Sequence, residues 1–244
     1  MRKRNFAIII VFFIYLTSVI VLNFVNAVPD GANVVYVTNT SKNATSPDGR
    51  TDDKGFIHTI ILSGTVQNNR WKAYVGNVSG TLVLRDADDY SIYEWPTLSS
   101  PDGQVFITRN DTVNWNTIRC ANETAILAEQ SSLGHSATAG DNINNTFLNR
   151  IHEQFVVGTT TIVNSTCKST ATWVNNTEQT LTESSLFPEV LLMDIDLRLV
   201  FTTRIDQDTS SYRNGTTNTT YDFQAILPDL ATASTSTYYF YLEI

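Results

Sequence analysis

Short apolar runs separated by polar stretches rich in Gly, Pro and Asp dominate the chain, a pattern that predicts strands joined by turns. Residues 34–37 are the first such run, and residues 56–62 follow a polar loop. Residues 71–75 and 81–84 flank Gly76-Asn77-Val78-Ser79-Gly80, which reads as a hairpin turn. Residues 90–95 and 105–108 add two strands, divided by Pro96 and by Pro101-Asp102-Gly103. Strands are also predicted at 155–163, 171–174, 223–227 and 237–244. The clearest alternation runs over residues 194–205. Ile195, Leu197, Leu199, Phe201 and Ile205 share one face, with Asp194, Asp196, Arg198, Thr202 and Arg204 on the other, as in a strand with one wet side. In the last strand Tyr238, Phe240, Leu242 and Ile244 face one way, and Tyr239, Tyr241 and Glu243 the other.

The period changes between residues 114 and 134. Trp115, Ile118, Ala121, Ala125 and Ile126 recur at helical spacing, and Leu133-Gly134 offers a stop, so a helix of about four turns carrying Cys120 is expected. A second short helix from Asp141, its candidate N-cap, would align Ile143, Phe147 and Ile151. The expected fold is therefore mainly β: an antiparallel sandwich-like domain over residues 28–244, with a short helical insertion at about 114–152. No linker divides it, and no repeat of fixed period occurs.

The N-terminus has a different character. Arg2-Lys3-Arg4 precedes an uncharged run over residues 6–22, and Asn26-Ala27 closes it with small residues. This reads as a signal peptide cleaved after Ala27, with an uncleaved anchor helix as the alternative because the run nears the length of a membrane span. The basic flank keeps the N-terminus in the cytoplasm, so residues 28–244 are expected to be extracellular or at the cell surface. Cys120 and Cys167 lack the spacing of a redox or zinc motif and, in an exported chain, read as one disulfide.

Composition sharpens this picture. The chain has 16 Lys plus Arg against 24 Asp plus Glu, and without the three N-terminal bases the rest carries net charge −11. A nucleic-acid partner is excluded on that ground. Thr, Asn and Ser number 34, 22 and 19, and Lys only 5, which suits extracellular β-structure. Beyond residue 27, 19 Asn and 51 Ser or Thr in 217 residues would by chance give about 4.5 sequons, yet ten occur. They start at Asn39, Asn43, Asn77, Asn110, Asn122, Asn144, Asn164, Asn175, Asn214 and Asn218, and they predict an N-glycosylated surface.

Candidate chemistry is sparse. His58, His135 and His152 are the only histidines, and no HExxH, GxSxG or phosphate loop occurs, so neither catalytic residues nor a cofactor can be assigned. Arg85-Asp86-Ala87-Asp88-Asp89 is the best calcium-like loop, with Asp52 or Asp53 as further ligands. It fails as an EF-hand because Ser91 stands at the glycine position and Thr97 at the glutamate position, so no metal is assigned. Glu189 with Asp194 and Asp196 is the one carboxylate set that glycoside hydrolysis could use. Tyr239 with Tyr241, or Trp71, Tyr74, Tyr93 and Trp95, would suit a sugar-stacking platform.

Three blocks carry a resemblance: Trp71-Lys72-Ala73-Tyr74-Val75-Gly76-Asn77-Val78-Ser79-Gly80-Thr81, Asp222-Phe223-Gln224-Ala225-Ile226-Leu227-Pro228-Asp229, and Thr237-Tyr238-Tyr239-Phe240-Tyr241-Leu242-Glu243-Ile244. With the segment from Trp115 through Ile118 to Cys120-Ala121, they resemble a set of exported archaeal surface proteins. The resemblance implies an archaeal surface protein and brings no active site with it. The expected function is structural or adhesive, as a subunit of an extracellular filament or envelope assembly. The short apolar segment within residues 28–38 is the candidate for pairing with a neighbour's sheet. A carbohydrate-binding module is the first alternative and a secreted hydrolase the second. Expected partners are copies of itself, other envelope proteins or glycans, with membrane contact only through the N-terminal segment.

Overall fold

A computed structural model describes residues 28–95, 102–206, 210–213, 219–232 and 235–244. The expected signal or anchor helix lies outside the described residues, as do the sequons at Asn214 and Asn218. Among the described residues no helix is long and apolar enough to cross a membrane.

The protein is mainly β, with antiparallel sheets and few helices. In its first half the strands are β1 (Asp30–Gly31), β2 (Trp71–Gly76), β3 (Val83–Arg85), β4 (Ser91–Glu94), β5 (Gln104–Thr108) and β6 (Arg119–Cys120). The second half adds β7 (Phe155–Val157), β8 (Thr160–Ile162), β9 (Ser169–Ala171), β10 (Pro188–Met193), β11 (Leu199–Arg204), β12 (Phe223–Pro228) and β13 (Tyr239–Glu243). Two helices lie between these halves, α1 (Glu123–Ser132) and the one-turn α2 (Ile143–Thr146), after a 3-10 turn at Trp115–Thr117.

Seven strands make the main sheet. Its order is β1-β13-β5-β11-β10, and β6 and β9 lie end to end along the outer edge of β10. The Cys120–Cys167 disulfide fastens β6 to the segment entering β9, so the covalent link holds the two short pieces that complete this edge. Three two-stranded ribbons, β12–β2, β3–β4 and β7–β8, complete the β-structure.

The main sheet is buried on both faces because its central strands carry apolar residues at successive positions. On one face Val105, Ile107, Leu191, Met193, Leu199 and Phe201 pack under α1, α2 and the β12–β2 ribbon, through Ala125, Ile126, Ile143, Phe147, Ala225 and Leu227. On the other, Phe106, Val190, Leu192 and Val200 pack against Trp115, Ile118, Val157, Ile162 and Cys167. Each fully buried Leu, Ile or Phe contributes roughly 1.5–3 kcal/mol relative to exposure, so these clusters fix the strand order. The last strand follows its predicted alternation, with Phe240, Leu242 and Ile244 against the first cluster and Tyr241 against the second.

Several predicted elements take a different form. Residues 194–205 are not one strand. β10 ends at Met193, and the chain turns through residues 194–198 before β11 begins at Leu199. Asp194 makes the turn: its Oδ1 accepts the Asp196 and Arg198 N–H groups, and Leu197 takes the left-handed region at φ 63°. Alternation continued by accident through a turn, so Asp194 and Thr202, read as wet, are buried, while Ile195 and Leu197 are exposed. The preceding strand β10 is absent from the sequence reading because all six of its residues are buried and show no period of two.

The helix expected over 114–134 is three elements. Asn122 caps α1 by accepting the Ala125 N–H, so helix begins only at Glu123, and Cys120 lies on β6. The second helix starts one residue later than expected, with Asn142 rather than Asp141 as N-cap; Ile143 and Phe147 are buried as expected. The strand predicted at 155–163 is a hairpin that turns at Gly158, φ 55°. The hairpin predicted across residues 76–80 does not form, because β2 pairs with β12, 147 residues away at Gly76–Phe223, and β3 pairs with β4. Residues 34–37 and 56–62 form no strand.

Candidate functional site

A cleft of about 500 Å³ lies at one end of the main sheet, on the face of the second cluster. Its floor comes from neighbouring strands in register, with Gln104 opposite Arg204 and Thr202 opposite Val190, and Pro188 at the start of β10. Its wall is the segment His152-Glu153-Gln154-Phe155, and Ile205 and Asp206 close the rear.

Charge in the cleft is organised around Arg204. Its Nη1 contacts Glu153 Oε2 at 2.7 Å, Nε and Nη2 contact Asp206 Oδ1 at 2.8 and 2.6 Å, and Nη2 also donates to the Ser185 carbonyl. Asp206 is buried and also accepts the Phe187 N–H, so it anchors the guanidinium. Thr202 is 1% exposed, and its hydroxyl has no hydrogen-bond partner.

His152 forms part of the wall but is not a base. Its Nε2 accepts the N–H groups of Thr166 and Cys167 at 3.2 and 3.0 Å, which leaves the proton on Nδ1, donated to the Glu153 carbonyl at 2.7 Å. A backbone N–H can only donate, so the ring's lone pair is occupied and its tautomer fixed. The imidazole holds the disulfide segment in place. Nearby, burial raises the Glu243 carboxyl above its ordinary range, and the Gly158 N–H partly offsets this.

The residues singled out from sequence are dispersed. His58 is on the exposed segment 51–62, near Asp52, and His135 is buried with Nε2 against the Asp229 carbonyl. Glu189 and Asp194 lie near opposite ends of β10, five residues apart and so about 17 Å along the strand, which rules them out as a paired acid and base. Asp86 Oδ1 accepts the Asp88 and Tyr90 N–H groups and Asp89 pairs with Arg85, so this acidic loop is a turn in the β3–β4 hairpin. Among the described residues no group of three or more His, Cys, Asp or Glu could hold a metal ion.

The two aromatic platforms also come apart. Tyr241 packs on Trp115 with ring centroids 5.1 Å apart, leaving Tyr239 alone at the surface. Trp71 and Tyr74 pack against the core, Tyr74 edge-on to Phe240, whereas Tyr93 and Trp95 are an exposed pair 5.0 Å apart on and just beyond β4. The cleft residues Gln104, Glu153 and Asp206 gave no signal in sequence, since they come from three separate segments and match no spacing. No family model, curated protein or solved structure matches the chain.

A second feature lies outside the cleft. Residues 32–70 form neither helix nor strand, and their large apolar side chains are in water: Val37 is 86% exposed, Ile57 99% and Ile61 96%, with Val35, Tyr36, Phe56 and Leu62 also exposed. This arm enters from β1, which covers only two residues of β13, and ends at β2. The even-numbered residues of β2 exchange hydrogen bonds with β12, so the main-chain groups of Trp71, Ala73 and Val75 point away from it. Among the described residues these groups have no main-chain partner, and β2 presents an open edge.

None of the eight described sequon asparagines is buried: Asn39, Asn43, Asn77, Asn122, Asn164 and Asn175 are exposed, and Asn110 and Asn144 half-buried. Asn122 uses only its Oδ1 as the α1 cap, which leaves the Nδ2 that a glycan would take.

Proposed function

We propose that the protein is an exported, N-glycosylated structural or adhesive component of an archaeal cell surface, built as a sandwich-like β-domain, that works as a subunit of an assembly joined by donated strands. The observation that carries this reading is the apolar arm. A soluble monomer rarely exposes so many large aliphatic side chains in one stretch, and contiguous exposed apolar surface marks interaction sites. The open edge of β2 and the thinly covered edge of β13 supply main-chain donors and acceptors that a second chain's strand would satisfy. The exposed sequons are compatible with that role, since glycans would face outward.

The test is the mass of the purified mature protein by light scattering, with residues 28–244 compared with a chain lacking residues 28–40. Concentration-dependent growth in mass that is lost on deletion is the expected result. A mature chain that stays monomeric across the accessible concentration range sinks the assembly reading.

A further inference from the structure

We infer that one face of the β3–β4 hairpin is the docking surface for residues 34–37 of a second copy of this chain, an inference that rests on the assembly reading. The hairpin is amphipathic. Leu84 stands opposite Tyr93 and Leu82 opposite Trp95, and side chains directly opposite or two residues apart share a face of an antiparallel pair. That face is therefore apolar, with Leu82, Leu84, Tyr93 and Trp95, the two rings edge to face at 5.0 Å. The other face carries Val83 and a polar network in which Arg85 bonds Ser91 and Glu94. The four side chains of the apolar face are 41–57% exposed, and none belongs to either apolar cluster. An isolated two-stranded ribbon is marginally stable until something packs on it, so this face lacks a cover.

Length, charge and position select the second copy's arm. Val34, Val35, Tyr36 and Val37 are exposed and span about 13 Å when extended, the length of the four-residue β4. The seven residues 56–62 span about 23 Å and match the six-residue β2 instead, so each apolar segment of the arm has one receiving surface. Residues 82–95 hold Asp86, Asp88, Asp89 and Glu94 against Arg85, net −3, and the Arg85 ion pairs with Asp89 and Glu94 are internal to the hairpin. Residues 32–47 hold Lys42 and no acid, so the two surfaces differ in sign, which favours their encounter. Residues 77–82 join β2 to the hairpin, and Gly80 at its root lies against Ile244 beyond β13, where a Cβ would collide. The docking face thus adjoins the two strand edges, of β2 and β13, that the assembly would use.

The experiment uses the mature chain, residues 28–244, with its own disulfide intact. Tyr36→Cys in one preparation and Tyr93→Cys in a second, tagged one are mixed and mildly oxidised at concentrations where mass grows. A crosslinked dimer of tagged and untagged chains is expected, in yield about tenfold or more above that of Tyr36→Cys mixed with tagged Ser131→Cys, at an exposed α1 position. Leu84→Ser combined with Tyr93→Ser should raise the concentration needed for growth in mass by about tenfold or more. The melting temperature of that dilute variant should not change, since both side chains are exposed. Absence of the crosslink, or growth in mass unaltered by the serine pair, overturns this inference, while growth in mass of the unaltered chain leaves the assembly reading standing. No growth in mass of the unaltered chain overturns both. A crosslink within single dilute chains carrying Tyr36→Cys and Tyr93→Cys together would show the arm covering its own hairpin. An equal yield among Tyr93→Cys chains alone would show hairpins covering each other, and either result overturns the proposal.

Discussion

Glu189 provides the sharpest test of how the two layers are held together. It is fully buried in β10, and its Oε2 accepts the Ile226 N–H of β12 at 2.9 Å, while Oε1 has no partner. Burial pushes the carboxyl well above its ordinary range, and the Ile226 N–H lowers it only in part. The folded protein therefore holds this proton more tightly than the unfolded chain. The stabilisation from it is fully present below the unfolded value, about 4.5, and is lost as pH rises towards the raised folded value. Within that window the free energy of unfolding falls by up to about 1.4 kcal/mol per pH unit, or about 3–6 °C in melting temperature for a chain of this size. Glu189→Gln keeps the volume and the acceptor for Ile226 but cannot ionise. Thermal unfolding of both proteins between pH 3.5 and 8 should give curves that run together at the acid end and separate as pH rises, with the wild type falling faster. Parallel curves across the range would refute the buried proton. Glu189→Ala should instead be weaker at every pH, by about 2–4 kcal/mol, because it removes the acceptor and leaves a cavity.

Replacing both Cys120 and Cys167 by Ser opens a loop of 47 residues and should cost about 4 kcal/mol, or about 8–16 °C in melting temperature; a loss below about 2 °C by calorimetry would show that β6 and β9 hold without it. Asp194→Ala removes the acceptor for the Asn114, Asp196 and Arg198 N–H groups and one of the two carboxylate partners of the Arg198 guanidinium, the other being Asp196. It should lower stability by about 3–5 kcal/mol in urea titrations at unchanged m-value, and a change under about 1 kcal/mol would contradict the turn's role. His152→Phe leaves the Thr166 and Cys167 N–H groups without an acceptor and should cost about 2–4 kcal/mol by the same titration, whereas a catalytic histidine would show no such loss.

What was legible in the sequence was local chemistry. The strands at β2, β5, β12 and β13, and the burial of Ile143 and Phe147, follow from short-range pattern. The disulfide follows from two cysteines once the chain is read as exported. Pattern failed where one residue's side chain outranked periodicity. The Asp194 carboxylate folds an alternating stretch into a turn, and the Asn122 cap delays a helix until after Cys120. Partnering was not legible at all: β2 reaches across most of the chain to β12 in preference to the nearby β3, because only β12 brings Ala225 and Leu227 onto the core face beside Tyr74. The cleft was hidden for the same reason. Thr202 read as a wet-face residue, and only the register of β5, β11 and β10 sets it beside Arg204, Gln104 and Val190.

One sequence signature occurs in two opposite environments, and the contrast bears on assembly. Residues 188–193 and residues 56–62 are both short, largely apolar and without a period of two. The first is β10, buried on both faces with strands along both edges. The second has the same two-sided apolar character, yet Ile57 and Ile61 are almost wholly exposed and the neighbouring Phe56, Ile60 and Leu62 lie in water. A strand with no wet face is stable only inside a sheet covered on both sides. Among the described residues the arm pairs with no strand of its own chain. On the proposed assembly a second copy would supply the main-chain groups of Trp71, Ala73 and Val75 along β2, beside the partly buried Tyr74, Phe240 and Leu242. Replacing Ile57, Ile60 and Ile61 by Ser should then leave the melting temperature of the dilute protein unchanged, since none of these side chains belongs to either apolar cluster, while abolishing the concentration-dependent growth in mass. Loss of stability in the dilute triple variant would show that the arm packs on its own domain.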